Sequence, residues 1–194
     1  MIRLTMLSVA VLILAACTAT PSPPSAQVAF GPTTKSKDST GYVLRNRKLA
    51  VKIDEQTAAA ILWPEYPMNT LVRPDRVVPS FSSQSDSSPI HGYVESRDEE
   101  TWQYFGQSAD GIIGWRIVYN LYLDSLNVSY IVQNNSKEPI TGHVVLPSVE
   151  HVAVQPFNEN SSLNAPVADG SIRSDEHTLK PGERISFTTR WTLR

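Results

Sequence analysis

The final eleven residues, RISFTTRWTLR (184–194), place Ile185, Phe187, Thr189, Trp191 and Leu193 alternately with Arg184, Ser186, Thr188, Arg190 and Thr192. Side chains of a strand point to opposite faces in turn, so this period of two makes one apolar face and one face of Arg, Ser and Thr. A helix would scatter the same residues around its circumference. Pro181-Gly182 reads as the turn that feeds the strand. A strand this amphipathic needs a second layer over its apolar face, so the chain must build layered β-structure.

The same period recurs upstream. In GIIGWRIVYNLYLD (111–124), Trp115, Ile117, Tyr119, Leu121 and Leu123 share a face opposite Arg116, Asn120 and Asp124, with Val118 and Tyr122 out of phase. LNVSYIVQN (126–134) puts Leu126, Val128, Tyr130 and Val132 together, and Asp124-Ser125 between the two runs predicts a hairpin. YVLRNRKLAVKID reads as a strand or a hairpin around 45–48, TWQYFGQ as a strand, and Ala109-Asp110-Gly111 as a turn. EQTAAAILW has the alanines of a short helix, but Pro64 and Pro67 favour a strand. GHVVLPSVEHVAVQP predicts a strand pair or one strand bent at Pro147, and the Pro- and Ser-rich stretch 73–91 an exposed loop. No segment keeps a helical period over three turns. The expected fold is all-β, a single-domain antiparallel β-sandwich over residues 42–194.

Seventeen Lys and Arg against nineteen Asp and Glu leave no clustered basic excess, which excludes nucleic acid as the expected partner. MIRLTMLSVAVLILAA (1–16) carries Arg3 and then an apolar run shorter than the roughly 20 residues of a membrane span, the pattern of a signal peptide. Leu14-Ala15-Ala16-Cys17 resembles the lipobox of bacterial lipoproteins, which implies a lipidated (palmitate-bearing) Cys17 at the mature N-terminus. Cys17 is the lone cysteine, so no disulfide is expected. Residues 17–41, rich in Pro, Ser and Thr, read as a flexible tether. Thr18 rather than Asp after the cysteine implies, by the same resemblance, the outer membrane, with the domain facing the periplasm.

Three stretches resemble the galactose-mutarotase-like (aldose-epimerase-like) β-sandwiches: LNVSYIVQNNSKEPITG, LRNRKLAVKIDEQTAAAILWPEYPMNTL and LKPGERISFTTRWTLR. The same turns also serve immunoglobulin-like sandwiches, so both topologies stay open. An active mutarotase, by the resemblance, sets two His and a Glu around a sugar ring. Where that family has a His-x-Tyr-Phe motif this chain reads VVLPSVEH, and Ala59 and Ala60 stand where glycines are common, so the resemblance implies a degenerate member and no catalytic residue is carried over.

His91, His143, His151 and His177 lack the i, i+2 or i, i+4 spacing of a metal clasp, and the acids beside His151 and His177 would point to opposite sheet faces, so surface histidines and no metal are expected. The chain has no Gly-x-Ser-x-Gly elbow and no phosphate-binding glycine loop, hence no expected cofactor. Trp115 and Trp191 keep phase with aliphatic residues and belong to the core. Trp63, Trp102 and Tyr104 are the candidate ligand-binding residues, since aromatic faces pack on sugar rings. The expected function is a membrane-anchored envelope lipoprotein, a non-catalytic binding or assembly module for a glycan or protein partner. The alternative is a small carbohydrate-active enzyme of epimerase type.

Overall fold

The computed structural model describes residues 33–38, 41–64, 76–83, 86–98, 101–157 and 170–194. The signal segment 1–16 and Cys17 lie outside them. Among the described residues every regular element is a strand: β1 (Thr34–Asp38), β2 (Gly41–Arg45), β3 (Leu49–Ile53), β4 (Ala60–Pro64), β5 (Ser80–Ser82), β6 (Asp86–Ser87), β7 (Ile90–Ser96) and β8 (Thr101–Gln107). They continue as β9 (Ile113–Leu121), β10 (Leu126–Asn134), β11 (Ile140–Leu146), β12 (Val152–Pro156), β13 (Ile172–Arg173), β14 (His177–Leu179) and β15 (Arg184–Leu193).

The strands form three antiparallel sheets in a sandwich-like arrangement, as the alternating patterns predict. One is the meander β1-β2-β3-β4; the largest runs β12-β15-β10-β9-β8-β7; the third runs β13-β11-β5-β6, with β14 also on β11. The central hairpin sets Leu121 opposite Leu126, and Tyr122 N–H closes the loop onto Ser125 O at 2.8 Å. At the other end Asn134 does the work of a double cap. Its Nδ2 donates to Glu138 O (2.8 Å) and Leu179 O (2.9 Å), while its Oδ1 accepts from the N–H and hydroxyl of Ser136, both at 2.8 Å. One buried amide thereby ties the turn after β10 to the Pro181-Gly182 turn, where Gly182 takes φ +77° and donates its N–H to Asn134 O.

The core lies where the sheets' apolar faces meet. From the six-stranded sheet come Tyr104, Trp115, Ile117, Tyr119, Leu126, Val128, Tyr130, Phe187 and Trp191; from the others, Leu44, Val51, Ile53, Leu62, Phe81, Val144 and Leu179. Two phenols stitch the layers by donating into the loop between β3 and β4, Tyr104 to Gln56 O (3.1 Å) and Tyr119 to Ala58 O (2.9 Å). That loop is braced by Asp54, whose Oδ1 accepts from Gln56 N, Thr57 N and Thr57 Oγ1. Burial opposes ionisation of Asp54, but these bonds outweigh it and hold its carboxyl below the usual carboxylate value.

Three expectations are corrected. Part of the stretch 73–91 is not an exposed loop: Val77 bridges Ala60, and Phe81 in β5 is wholly buried opposite Val144. Its serines masked a strand whose one large apolar residue does the packing. β1 falls within the stretch read as tether and pairs with β2 from Thr34↔Arg45 to Asp38↔Gly41, so strand pairing starts upstream of residue 42. The edge of β2 offers the unpaired backbone groups that polar residues 34–38 satisfy. Finally, β11 and β12 are neither a pair nor one bent strand: β11 joins β5, β13 and β14, whereas β12 pairs with β15. Between them the chain passes from one sheet to another at Pro147, which lacks the N–H to extend a ladder.

Candidate ligand-binding face

Period two gives the six-stranded sheet a second face, turned away from the core. The registers align Tyr93, Phe105, Arg116, Ile131 and Ser186 in one row across β7, β8, β9, β10 and β15. A neighbouring row places Gly114, Gln133 and Arg184 side by side. Around these residues lies an open groove of about 320 Å³, lined by Phe105, Arg116, Ile131, Gln133, Asn135 and Arg184. Gly114 keeps part of it clear, since a Cβ there would come within 2.8 Å of the Asn135 amide.

The guanidinium groups are held in place. Arg116 Nε donates to Gln103 Oε1 at 3.0 Å, and its Cζ lies 5.6 Å from the Phe105 ring centre. Phe105 in turn stacks on Tyr93, with ring centres 5.4 Å apart and planes 20° from parallel. Arg184 Nε donates to Gln133 Oε1 at 2.8 Å. Farther across the sheet Arg190 lies over Phe157, 5.7 Å from the ring centre. Tyr93 (52%) and Phe157 (43%) are the two most exposed large apolar side chains among the described residues. Among the described strand residues of this face the only carboxylate is Glu95, opposite Gln103 on β7. The face therefore carries three arginines against one glutamate, although the whole chain has a formal charge of −2. Beneath them the sheet is polar but close-packed: Thr101, Gln103 and Asn127 are buried, Thr101 Oγ1 donates to Asn120 Oδ1 at 2.8 Å, and Asn127 Oδ1 has no hydrogen-bond partner.

The residues singled out from sequence fall elsewhere. Trp102 and Tyr104 are buried on the core side of β8 and are not a stacking platform. Trp102 packs edge-on against Tyr42 (ring centres 5.0 Å apart) and Tyr104 lies across Gly92 and Gly106, where any Cβ would meet its ring. Burial, and secondarily the Asp54 charge, pushes the Tyr104 phenol up to about 12. Trp63 is half-buried on β4, opposite Ala50, in a different sheet from the groove. The site thus contains none of the three. What sequence reasoning missed, Phe105, stands one residue out of phase with Trp102 and Tyr104, and its parity alone marks it as outward-facing.

Among the described residues the histidine side chains do not converge. His143 is on β11, His177 on β14, and His151 sits in the exposed turn before β12 with Nε2 3.8 Å from Glu150 Oε2. His177 packs against Phe187 with its Nε2 buried and unpaired. Among the described residues no three His, Cys, Asp or Glu side chains are grouped to hold a metal. The described residues include no helix long and apolar enough to cross a membrane.

No family model matches the chain, and no curated protein does. Sixteen chains of solved structures match it. One is a polysaccharide lyase, 11% identical with a TM-score of 0.32, over 85% of this chain and 32% of that one. The chain thus spans about a third of that structure's length, and the likeness carries no functional argument. The described residues form an all-β, sandwich-like fold.

Proposed function

We propose that this chain is a lipid-anchored, non-catalytic binding module of the bacterial cell envelope, holding a glycan on the outer face of its six-stranded sheet. The observation that carries the reading is the make-up of the groove. An aromatic ring, two braced guanidinium groups and two side-chain amides line it, and no carboxylate or imidazole is among its lining residues. Such a set hydrogen-bonds sugars, and the exposed Tyr93 stacked on Phe105 offers a ring face to them, whereas acid–base chemistry at an anomeric centre needs a proton carrier within reach of the substrate. The anchor rests on the lipobox-like Leu14-Ala15-Ala16-Cys17 and the apolar run before it. Outer-membrane placement facing the periplasm follows from Thr18 by the same resemblance. The three mutarotase-like stretches support a degenerate member of that group, which fits binding without turnover.

Two measurements on the full-length protein expressed in a bacterium test this. Mass spectrometry of the membrane-extracted chain is expected to find diacylglycerol and acyl groups on Cys17; an unmodified chain released into the periplasm overturns the anchor. Co-sedimentation with isolated envelope polysaccharides is expected to retain the protein and leave the polymers unchanged. A protein partner captured in their place would overturn the glycan, and sugar epimerisation or cleavage by the purified chain would overturn the non-catalytic role.

A further inference from the structure

We infer that the ligand of this face is an acidic polysaccharide whose sugar units carry carboxylates at intervals. The inference rests on the glycan-binding reading above and adds the charge of the glycan. Arg116 and Arg184 each commit Nε to a glutamine oxygen, at 3.0 and 2.8 Å. Each is thereby fixed in direction with its Nη groups left to donate, and neither is in an ion pair with a described residue. A guanidinium held this way presents the parallel N–H pair that a carboxylate accepts in bidentate fashion. Strands lie about 4.8 Å apart, so β9 and β15, two strands apart, hold the two arginines about 10 Å apart across the sheet. Arg190 supplies a third cation farther along β15.

The aromatic groups select a sugar polymer over other anions. Phe105 on β8 and Phe157 just beyond β12 are four strands apart, about 19 Å across the sheet. Each has an arginine at its ring face, Arg116 and Arg190, so ring and charge recur together at two stations on this face, the second displaced along the strands by two residues at Phe157 and four at Arg190. A polymer of rings with spaced charges matches that repeat. Duplex nucleic acid, with one charge per about 1.7 Å of axis, does not match three arginines spread over some 20 Å of a chain that is negative overall. An anionic membrane surface would favour a dense cationic patch, and here Gln133, Ser186 and Thr188 separate the arginines.

The test is affinity electrophoresis and titration calorimetry of the full-length lipidated protein in neutral detergent. The probes are polygalacturonate, the same polymer with its carboxylates reduced to alcohols, vesicles containing an anionic phospholipid, vesicles of an uncharged lipid, and duplex DNA. Polygalacturonate is expected to bind, more weakly as salt is raised, with the reduced polymer about tenfold weaker or worse. Arg116→Gln and Arg184→Gln are each expected to weaken polygalacturonate binding about tenfold and binding of the reduced polymer by less, so that the preference for the charged polymer narrows. Lys48→Gln, an exposed cation in the β2–β3 turn, should change neither. Equal binding of the charged and reduced polymers, unaffected by the arginine substitutions, overturns the acidic ligand and leaves glycan binding standing. Failure to bind either polymer or any other envelope glycan overturns both. Tighter binding of the anionic vesicles than of vesicles of an uncharged lipid, or binding of DNA equal to or tighter than that of polygalacturonate, overturns the inference in favour of a phosphate-bearing partner.

Discussion

The two faces of the six-stranded sheet are built from the same strands, one residue out of step, and obey different physics. Inward, Trp115, Ile117, Tyr119, Val128, Tyr130, Phe187 and Trp191 are almost fully buried; Trp191 Nε1 donates to Thr189 Oγ1 at 2.9 Å and Tyr119 Oη to Ala58 O, while Trp115 Nε1 is buried without a partner. Outward, Arg184 and Arg190 are exposed, Arg116 is partly so, and Asn127 Oδ1 is left without a donor. Polar groups cost least when paired or solvated, and surface charges contribute little to folding. The inner face is therefore where stability resides, and the outer face is free to be shaped by a ligand.

The sharpest way to break this contrast is to attack the inner face. Trp191→Ala, which empties a fully buried site opposite Leu126, is expected to destabilise the protein by about 4 kcal/mol in urea unfolding. A loss below about 1 kcal/mol would mean that β15 does not close the core. Asn134→Ala removes the buried amide that joins two turns, leaving Glu138 O and Leu179 O without that donor, and is expected to cost about 3 kcal/mol.

Alkali probes the same face through its phenols. Burial raises Tyr104 to about 12 against about 10 in the unfolded chain. A folded-state value raised in this way contributes stability that is complete below about pH 10. It is lost as pH rises from about 10 to about 12. Tyr119 and Tyr130, raised by burial as well, act in the same direction. Unfolding followed by tryptophan fluorescence across that range should coincide with ionisation of Tyr104, Tyr119 and Tyr130. Ionisation of any of these three at about pH 10 in a still-folded protein would contradict its burial. The smallest effect belongs to the outer face: Arg184→Gln should shift stability by less than about 0.5 kcal/mol, and a larger loss would mean that this arginine serves the fold.

Much of the inner face was legible because alternation is a local signal. Leu126, Val128, Tyr130 and Val132 announce their common side in the sequence, and the structure buries all four. The helix-or-strand ambiguity at EQTAAAILW resolves to β4 because Pro64 stops a helix and β3 supplies a partner. Phe81 was hidden because one apolar residue among serines has no period. The binding candidates were misplaced for a related reason. Trp102 and Tyr104 drew attention by type, but their shared parity placed both towards the core, and Gly92 and Gly106 shape the slot for the Tyr104 ring. Glycines scattered along the chain give no sign of such a slot.

By itself the sequence determined the β class, the hairpin turning at Asp124-Ser125, the inward residues of the long strands and the turn at Pro181-Gly182, because period two and turn chemistry act over a few residues. Only the tertiary structure decided that β11 and β12 part company at Pro147, that residues 34–38 add a strand, and that Phe105, Arg116, Gln133 and Arg184 meet around one groove. Those are matters of which strand lies beside which. Pairing between segments far apart in the chain is fixed by how the whole set of apolar faces is buried at once, which no short stretch of sequence encodes.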